Sequence, residues 1–366
     1  MYDRAVIRRL YVHNFRCLEN FELPISDGHS TLLIGKNGAG KTAISHALEV
    51  LQKIARGTNR VGELVRPKDL TSGRADVPMR FELSAELGGT LYEYVLALEC
   101  PAGFKELRVL DEKLSLDGKA LFTRKDREAT FAIDQHLVAL PIVQLRSTNQ
   151  PTRDPLFVFK EWLARMLILR PMPTLIGGDS TEESTQPVPE VTDFGAWFAG
   201  ILAERPSSYR RIAEYLTQVM PDFKDIQKPV VGKESRSLVV QFADGQRSVT
   251  LPFADLSDGE KCFMICALVL ASAEGHSLVC FWDEPDNYLA LDEVGHFVMA
   301  LRTAFQSSGQ FIATSHNPET IRRFSDENTI VLQRKSHFEP TVARRLSELK
   351  VPGDLIGALI RGDVES

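Results

Sequence analysis

The chain has 366 residues, of which 43% are apolar and 25% charged, and its formal net charge is −6. That length buries a large core, as one elaborated α/β domain or two joined lobes. The acidic sum excludes a generally basic nucleic-acid coat and leaves open only a local basic groove. No apolar run is long enough to cross a bilayer, and no apolar leader precedes the first strand. Cys17, Cys100, Cys262, Cys266 and Cys280 are odd in number and lack zinc-site spacing, which suits reduced thiols in a cytoplasmic protein without membrane attachment.

Alternating patterns predict strands over 5–16, over 21–25 ahead of a turn at 26–28, and over 30–34. The third leads into Gly35-Lys36-Asn37-Gly38-Ala39-Gly40-Lys41-Thr42, and Ala43, Ala47, Leu48, Leu51 and Ile54 follow at helical spacing. This is G-x-x-x-x-G-K-[ST] in the strand-loop-helix setting that the motif requires. Its glycines let successive N–H groups close on a phosphate at a helix start, where the partial positive charge favours an anion. Lys41 reaches the outer phosphates and Thr42 offers a hydroxyl to Mg²⁺. A glycine-rich turn that binds nothing leaves the Lys-Thr pair unexplained.

Residues 77–131 read as an antiparallel meander, with turns at Gly88-Gly89, 101–103 and Asp117-Gly118. Asp111 and Glu112 within it read as a solvated face rather than a metal cluster. A helix is predicted over 154–170, a mobile surface loop over 177–189, and helices over 193–202 and 209–219. Strands over 237–242 and 247–251 flank a turn at Asp244-Gly245. Leu256-Ser257-Asp258-Gly259-Glu260-Lys261 forms a capping box before an apolar helix over 262–273, in which Cys262 and Cys266 are core residues one turn apart. The apolar strand 278–282 ends in Asp283-Glu284-Pro285, and strand 310–315 ends at His316. Taken singly, that histidine is an ordinary polar residue at a strand end.

Taken in order, these four signals resemble the ATP-binding-cassette ATPases. The opening Leu10-Tyr11-Val12-His13-Asn14-Phe15-Arg16-Cys17-Leu18 and the Glu-Lys ending of the signature look like the soluble RecF/OLD/SMC branch, over residues 4–60 and 250–335. The resemblance implies an α/β P-loop fold with a mixed sheet, an antiparallel β subdomain and a helical lobe. The expected division is 1–150, 151–250 with a mobile loop at 176–192, and 251–366.

For the site, the resemblance implies ATP and Mg²⁺ as cofactors. The nucleotide would meet Gly35, Asn37, Gly38, Gly40, Lys41 and Thr42, with Asn14 and Arg16 beside it. Mg²⁺ would be held by Thr42, Asp283 and a glutamine between the two halves; Gln144 is the candidate, with Gln135 and Gln150 as neighbouring alternatives. Glu284 would be the general base, with Lys41 and His316 completing the catalytic set. Each ATP would lie between two protomers, Ser257 and Gly259 meeting the γ-phosphate bound to the partner chain and residues 286–289 touching the partner's site. Trp282 before the carboxylates and Asp258 in the signature depart from the family pattern without removing a group that hydrolysis needs.

OLD nucleases continue into an acidic nuclease domain, for which the residues after His316 leave no room, so the expected output is conformational. One function is an ATP-gated homodimer or higher oligomer that acts as sensor or scaffold for a partner effector encoded nearby, in bacterial anti-phage defence. The other is a RecF-like clamp on DNA, using Arg205, Arg210, Arg211, Lys224, Lys228, Lys233, Arg322, Arg323, Arg344 or Arg345. Solvated surface charge is the simpler reading of those residues. A transporter's nucleotide subunit is disfavoured by the meander and by the signature's ending.

Overall fold

The computed structural model describes residues 4–25, 28–125, 128–129, 133–143, 154–231, 235–307 and 309–349. It divides into two compact units, residues 1–166 with 324–366, and residues 167–323. The chain leaves the first unit after Met166 and returns to it at Phe324.

The first unit contains an antiparallel sheet in the order Phe21–Leu23, Ala5–His13, Met79–Leu87, Thr90–Glu99, Arg108–Leu116, Lys119–Lys125, Glu128–Ala129. The meander therefore continues the opening strands rather than standing apart from them. Its alternation is strict where the pattern was strict: Met79, Phe81, Leu83, Ala85 and Leu87 are buried and the residues between them are half-exposed. Two-residue turns join its strands because Gly88 and Gly89 take φ of 60° and 79°, and Asp117 and Gly118 take 46° and 78°. The solvated face carries ion pairs such as Arg8–Glu86 at 2.6 Å and Arg9–Glu82 at 2.5 Å. Glu112 departs from the solvated reading, being fully buried. Its carboxylate accepts from the backbone N–H of Ala139 (2.6 Å) and Leu140 (2.8 Å) and from the Tyr94 hydroxyl (2.9 Å). Burial raises its pKa against the pull of those donors.

Within the same unit Ser30–Ile34, buried at every position, pairs in parallel with Thr329–Gln333, which pairs antiparallel with Val342–Arg345. The helix Lys41–Ala55 packs beside the helix Pro155–Arg165. Arg56 at its end donates to the Ala164 carbonyl at 3.0 Å, meeting an orphan C-terminal acceptor of that second helix. Phe159 of the second helix stacks on Tyr92 of the meander with ring centroids 5.6 Å apart.

The second unit is built on three parallel strands, Leu167–Leu169, Val279–Trp282 and Gln310–Thr314, all fully buried as parallel strands require. The first of these lies in the stretch expected to be the end of a helix over 154–170. The helix stops at Arg165, and Leu167, Ile168 and Leu169 pair with Cys280, Phe281 and Trp282. An apolar triplet is compatible with helix or strand, and pairing decided it. Around these strands lie the helices Phe194–Glu204, Ser208–Val219, Asp258–Ala273 and Leu291–Phe305. The hairpin Val239–Asp244 with Arg247–Pro252 is joined by Phe223–Gln227, a strand the sequence did not reveal.

The loop over 177–189 and the residues beside it make backbone bonds to their neighbours. Arg170 and Met172 donate backbone N–H bonds to Pro189 (2.7 Å) and Glu190 (3.2 Å), and Ser184 donates to Ala196 (3.0 Å). A Cβ at Gly195 would meet the Gly178 carbonyl at 2.6 Å, and one at Gly200 would collide with Ser184, so the loop backbone lies directly on the helix. Cys262, Cys266 and Cys280 are buried and unoxidised. Burial pushes the Cys262 thiol up to about 12, so it is a core group rather than a reactive one. Among the described residues no helix is long and apolar enough to cross a membrane.

Candidate functional site

The loop after Ser30–Ile34 is shaped by close approach. A Cβ on Gly35 would collide with the Leu332 carbonyl, and one on Gly40 would lie 2.6 Å from the Thr341 hydroxyl and 3.1 Å from the Cys17 sulfur. Gly38 and Gly40 take φ of 80° and 104°, a region that side chains avoid. Gly40 is the N-cap of the helix Lys41–Ala55 and has no side chain to cap with, so the first N–H groups face the loop with their positive end of the dipole. Lys41 is buried, and its ammonium donates to the Gly35 carbonyl at 2.9 Å, across the mouth of the loop. Asn37 and Thr42 are exposed. Thr341, remote in sequence, donates its hydroxyl to the Ala39 carbonyl at 2.9 Å and its N–H to the Cys17 carbonyl at 2.9 Å, closing the loop from behind.

Asn14 and Arg16 take left-handed φ of 53° and 54°, which ends the first strand at His13 instead of at residue 16. Asn14 is buried and committed: its amide donates to the carbonyls of Arg74 and Val77, both at 2.8 Å, and accepts from the Thr71 N–H at 3.1 Å. Those bonds staple the segment 71–77 and leave Asn14 a structural part. Arg16 pairs loosely with Asp69, Nε to Oδ1 3.4 Å. Gln135 accepts from Arg108 at 3.0 Å. Gln144 and Gln150 lie outside the described residues.

In the second unit, Asp283 and Glu284 follow the strand Val279–Trp282, and Thr314 ends the neighbouring strand. The Thr314 hydroxyl donates to Asp283 Oδ1 at 2.5 Å and accepts from the Glu284 N–H at 2.9 Å. Glu284 has φ of 52°, and its carboxylate lies 3.5 Å from His316 Nε2 while also accepting from the Asn287 amide. Asp286 is 3% exposed and accepts from the Ser315 hydroxyl at 2.5 Å and from the Thr320 hydroxyl. Burial raises its pKa, and the two hydroxyl donors act against that rise. It is therefore an internal tie, while Asn287 and Tyr288 beside it are exposed.

The signature turn is a capping box. Ser257 Oγ accepts from the Glu260 N–H at 3.3 Å and donates to Glu260 Oε2 at 2.7 Å, which in turn accepts from the Ser257 N–H at 2.7 Å. A Cβ on Gly259 would lie 3.1 Å from the Tyr288 carbonyl, so the turn and the segment after Glu284 share one surface of this unit. Two residues of these constellations were not singled out from sequence, Thr314 and Thr341, while Asp286, expected to touch a partner's site, accepts from Ser315 and Thr320 within the chain. The only signal was a pair of hydroxyls immediately before His316, at the end of a buried strand that must satisfy its polar groups.

Residues 6–93 match a family described as an AAA ATPase domain. A stretch of 46 residues, 13% of the chain, is 48% identical to an OLD nuclease from Thermus scotoductus and spans 8% of that protein's length. Among solved structures, an SMC head bound to the C-terminal winged-helix domain of ScpA is 15% identical, with a TM-score of 0.54 covering 95% of this chain and 99% of that one. An SMC head with an extended coiled coil bound to the C-terminal domain of ScpA, from Pyrococcus furiosus, is 13% identical, with a TM-score of 0.51 covering 98% and 99%. The fold is thus that of a P-loop ATPase of the ABC type, with mixed sheets and helices. Residues 6–93 are thus similar to an AAA ATPase domain, the 46-residue stretch to an OLD nuclease, and the fold to SMC heads.

Proposed function

We propose that the protein binds ATP with Mg²⁺ through residues 35–42 and hydrolyses it with Glu284 as general base, closing into a homodimer that serves as sensor or scaffold for a partner effector in anti-phage defence. The observation that carries hydrolysis is the Glu284–His316 pair, 3.5 Å apart beyond the ends of adjacent parallel strands. Mg²⁺ would be held by Thr42, Asp283 and Gln144; the hydroxyl of exposed Thr42 and the carboxylate of half-exposed Asp283 are each hard oxygens of the kind that it takes. Bound there, Mg²⁺ supplies positive charge against the phosphate oxygens. Lys41 would leave the Gly35 carbonyl for the phosphates, and Gly35, Asn37, Gly38 and Gly40 would present backbone N–H groups. Glu284 would accept a proton from the attacking water, with His316 holding the γ-phosphate side. Arg16 retains enough exposure to reach toward a nucleotide from the first unit.

Ser257 and Gly259 would meet the γ-phosphate carried by a partner chain. The adjoining Tyr288 and Leu291 are 45% and 72% exposed, apolar area that suits burial in a dimer. Both SMC heads named above are bound to domains of ScpA, a precedent for a head that carries another protein. Several basic residues considered for DNA are engaged locally: Arg205 caps the carbonyls of Ala271 and Glu274, and Arg323 pairs with Glu319 at 2.5 Å. Lys233 lies outside the described residues. A protein partner is therefore favoured over a DNA clamp.

The test is the native mass of Glu284→Gln with Mg-ATP, alone, with the product of the adjacent gene, and with duplex DNA. An ATP-dependent dimer that takes up the neighbouring protein supports the proposal. A dimer that retains only DNA replaces the effector reading with the clamp, and a monomer in every condition overturns the shared-site mechanism.

A further inference from the structure

Thr314 is fully buried at the end of the strand Gln310–Thr314, where Ala313 pairs with Trp282 and the next residues across are Thr314 and Asp283. A buried hydroxyl in that place needs partners, and it finds two that matter. It donates to the Asp283 carboxylate and accepts the N–H of Glu284, at 2.5 and 2.9 Å. Glu284 sits at φ 52°, a conformation that is strained for a side-chain-bearing residue and persists only where its surroundings hold it. One residue further on, the Ser315 hydroxyl donates to Asp286 at 2.5 Å and accepts the Asn317 N–H at 2.9 Å, and Thr320 donates to the same carboxylate. The turn that carries His316 is thereby tied to the turn that carries Glu284 by hydroxyls on both sides of the pair.

We propose that Thr314 is a positioning residue that holds Asp283 and Glu284 in register, the Asp286–Ser315 tie fixing His316 opposite, so that these hydroxyls set the rate of hydrolysis and leave nucleotide affinity unchanged. The inference rests on Glu284 being the base, and its test is arranged to separate the two. A purely structural hydroxyl would merely satisfy buried groups, and its loss would lower stability without selecting one kinetic step.

Full-length protein carrying Thr314→Val, which keeps the volume and removes the hydroxyl, is compared with Thr314→Ser, Ser315→Ala and Glu284→Gln. Amide hydrogen exchange of the peptide spanning 279–290 is read without nucleotide, together with the melting temperature, ATP affinity, kcat and KM. Thr314→Val is expected to speed exchange at Glu284 and to lower kcat about tenfold, with KM and ATP affinity within about twofold, and Thr314→Ser is expected to restore both. An unchanged kcat in Thr314→Val, or equal losses in kcat and ATP affinity, overturns the proposal. If Thr314→Val does not fold, Ser315→Ala decides in its place: a lower kcat at constant KM supports the tie, and an unchanged kcat overturns it. Full hydrolysis by Glu284→Gln would instead overturn the assignment of the base, while the exchange result would still report whether Thr314 holds the turn.

Discussion

The phosphate loop and the carboxylate turn each fix charged groups at the end of a buried strand, and they do so with different materials. Residues 35–40 are held mainly by backbone and by the absence of side chains, with one hydroxyl, that of Thr341, donating to the Ala39 carbonyl: Gly35 and Gly40 lie where a Cβ would strike Leu332 or Thr341, and the adjoining buried Lys41 rests on a backbone carbonyl. Residues 283–287 are held by side chains: the hydroxyls of Thr314, Ser315 and Thr320 each donate to a carboxylate. The two helix starts repeat the contrast. The helix beginning at Lys41 has a glycine N-cap with no side-chain cap, whereas the helix beginning at Asp258 is closed by Ser257 and Glu260. A site made of backbone is suited to binding, since it needs no particular side chain to be placed. A site made of carboxylates needs neighbours that orient them, which is where chemistry becomes sensitive to substitution.

If that division is correct, substitutions on the two sides should separate hydrolysis from binding. The largest effect is expected from Glu284→Gln, which should lower the ATPase rate by about a hundredfold or more while ATP binding persists, as measured by phosphate release and equilibrium binding. Lys41→Ala should act in the opposite sense, weakening ATP binding about tenfold to a hundredfold through loss of charge-assisted hydrogen bonds, which calorimetry would read directly. Equal binding losses in both variants would erase the distinction.

Smaller effects sharpen the same comparison. Thr341→Val removes the bond to the Ala39 carbonyl and should cost about 1 kcal/mol of stability with a modest loss of ATP affinity, in denaturant titration and binding respectively. The smallest effect concerns Glu112, which accepts from the backbone of Ala139 and Leu140. Because its folded pKa is raised, its contribution to stability is full below the ordinary glutamate value of 4.5 and is lost as pH rises through the folded value. The stability difference between the wild type and Glu112→Gln should therefore shift against the wild type as pH climbs above that range. A pH-independent difference between their melting curves would mean that Glu112 does not titrate where burial puts it.

The parts of the fold that were legible were those with a local cause. Met79–Leu87 alternates because every second side chain is buried, and Asp117-Gly118 turns because both residues accept positive φ. Ser257 and Glu260 are spaced to bond each other within one helical turn, and they do. The sequence was misleading where two local solutions were equally good. Leu167, Ile168 and Leu169 suit a helix or a strand, and the polar stretch after Gly177 suits a free loop or, as found, one packed against the glycines of Phe194–Glu204. Glu112 resembled its charged neighbours because alternation marks which residues share a face, without marking what covers that face.

By itself the sequence determined the strand-loop-helix around Gly35–Thr42, the capping box at Ser257 and the buried strands that lead to Asp283 and His316, because glycine freedom, helix capping and apolar runs act over a few residues. Only the tertiary structure decided that Thr341 backs the phosphate loop, that Thr314 joins Asp283 to Glu284, and that Asp286 binds Ser315 and Thr320. The physical reason is that a buried hydroxyl or carboxylate must find its partner in space, and the residues that provide it here are about 30 to 300 positions away along the chain.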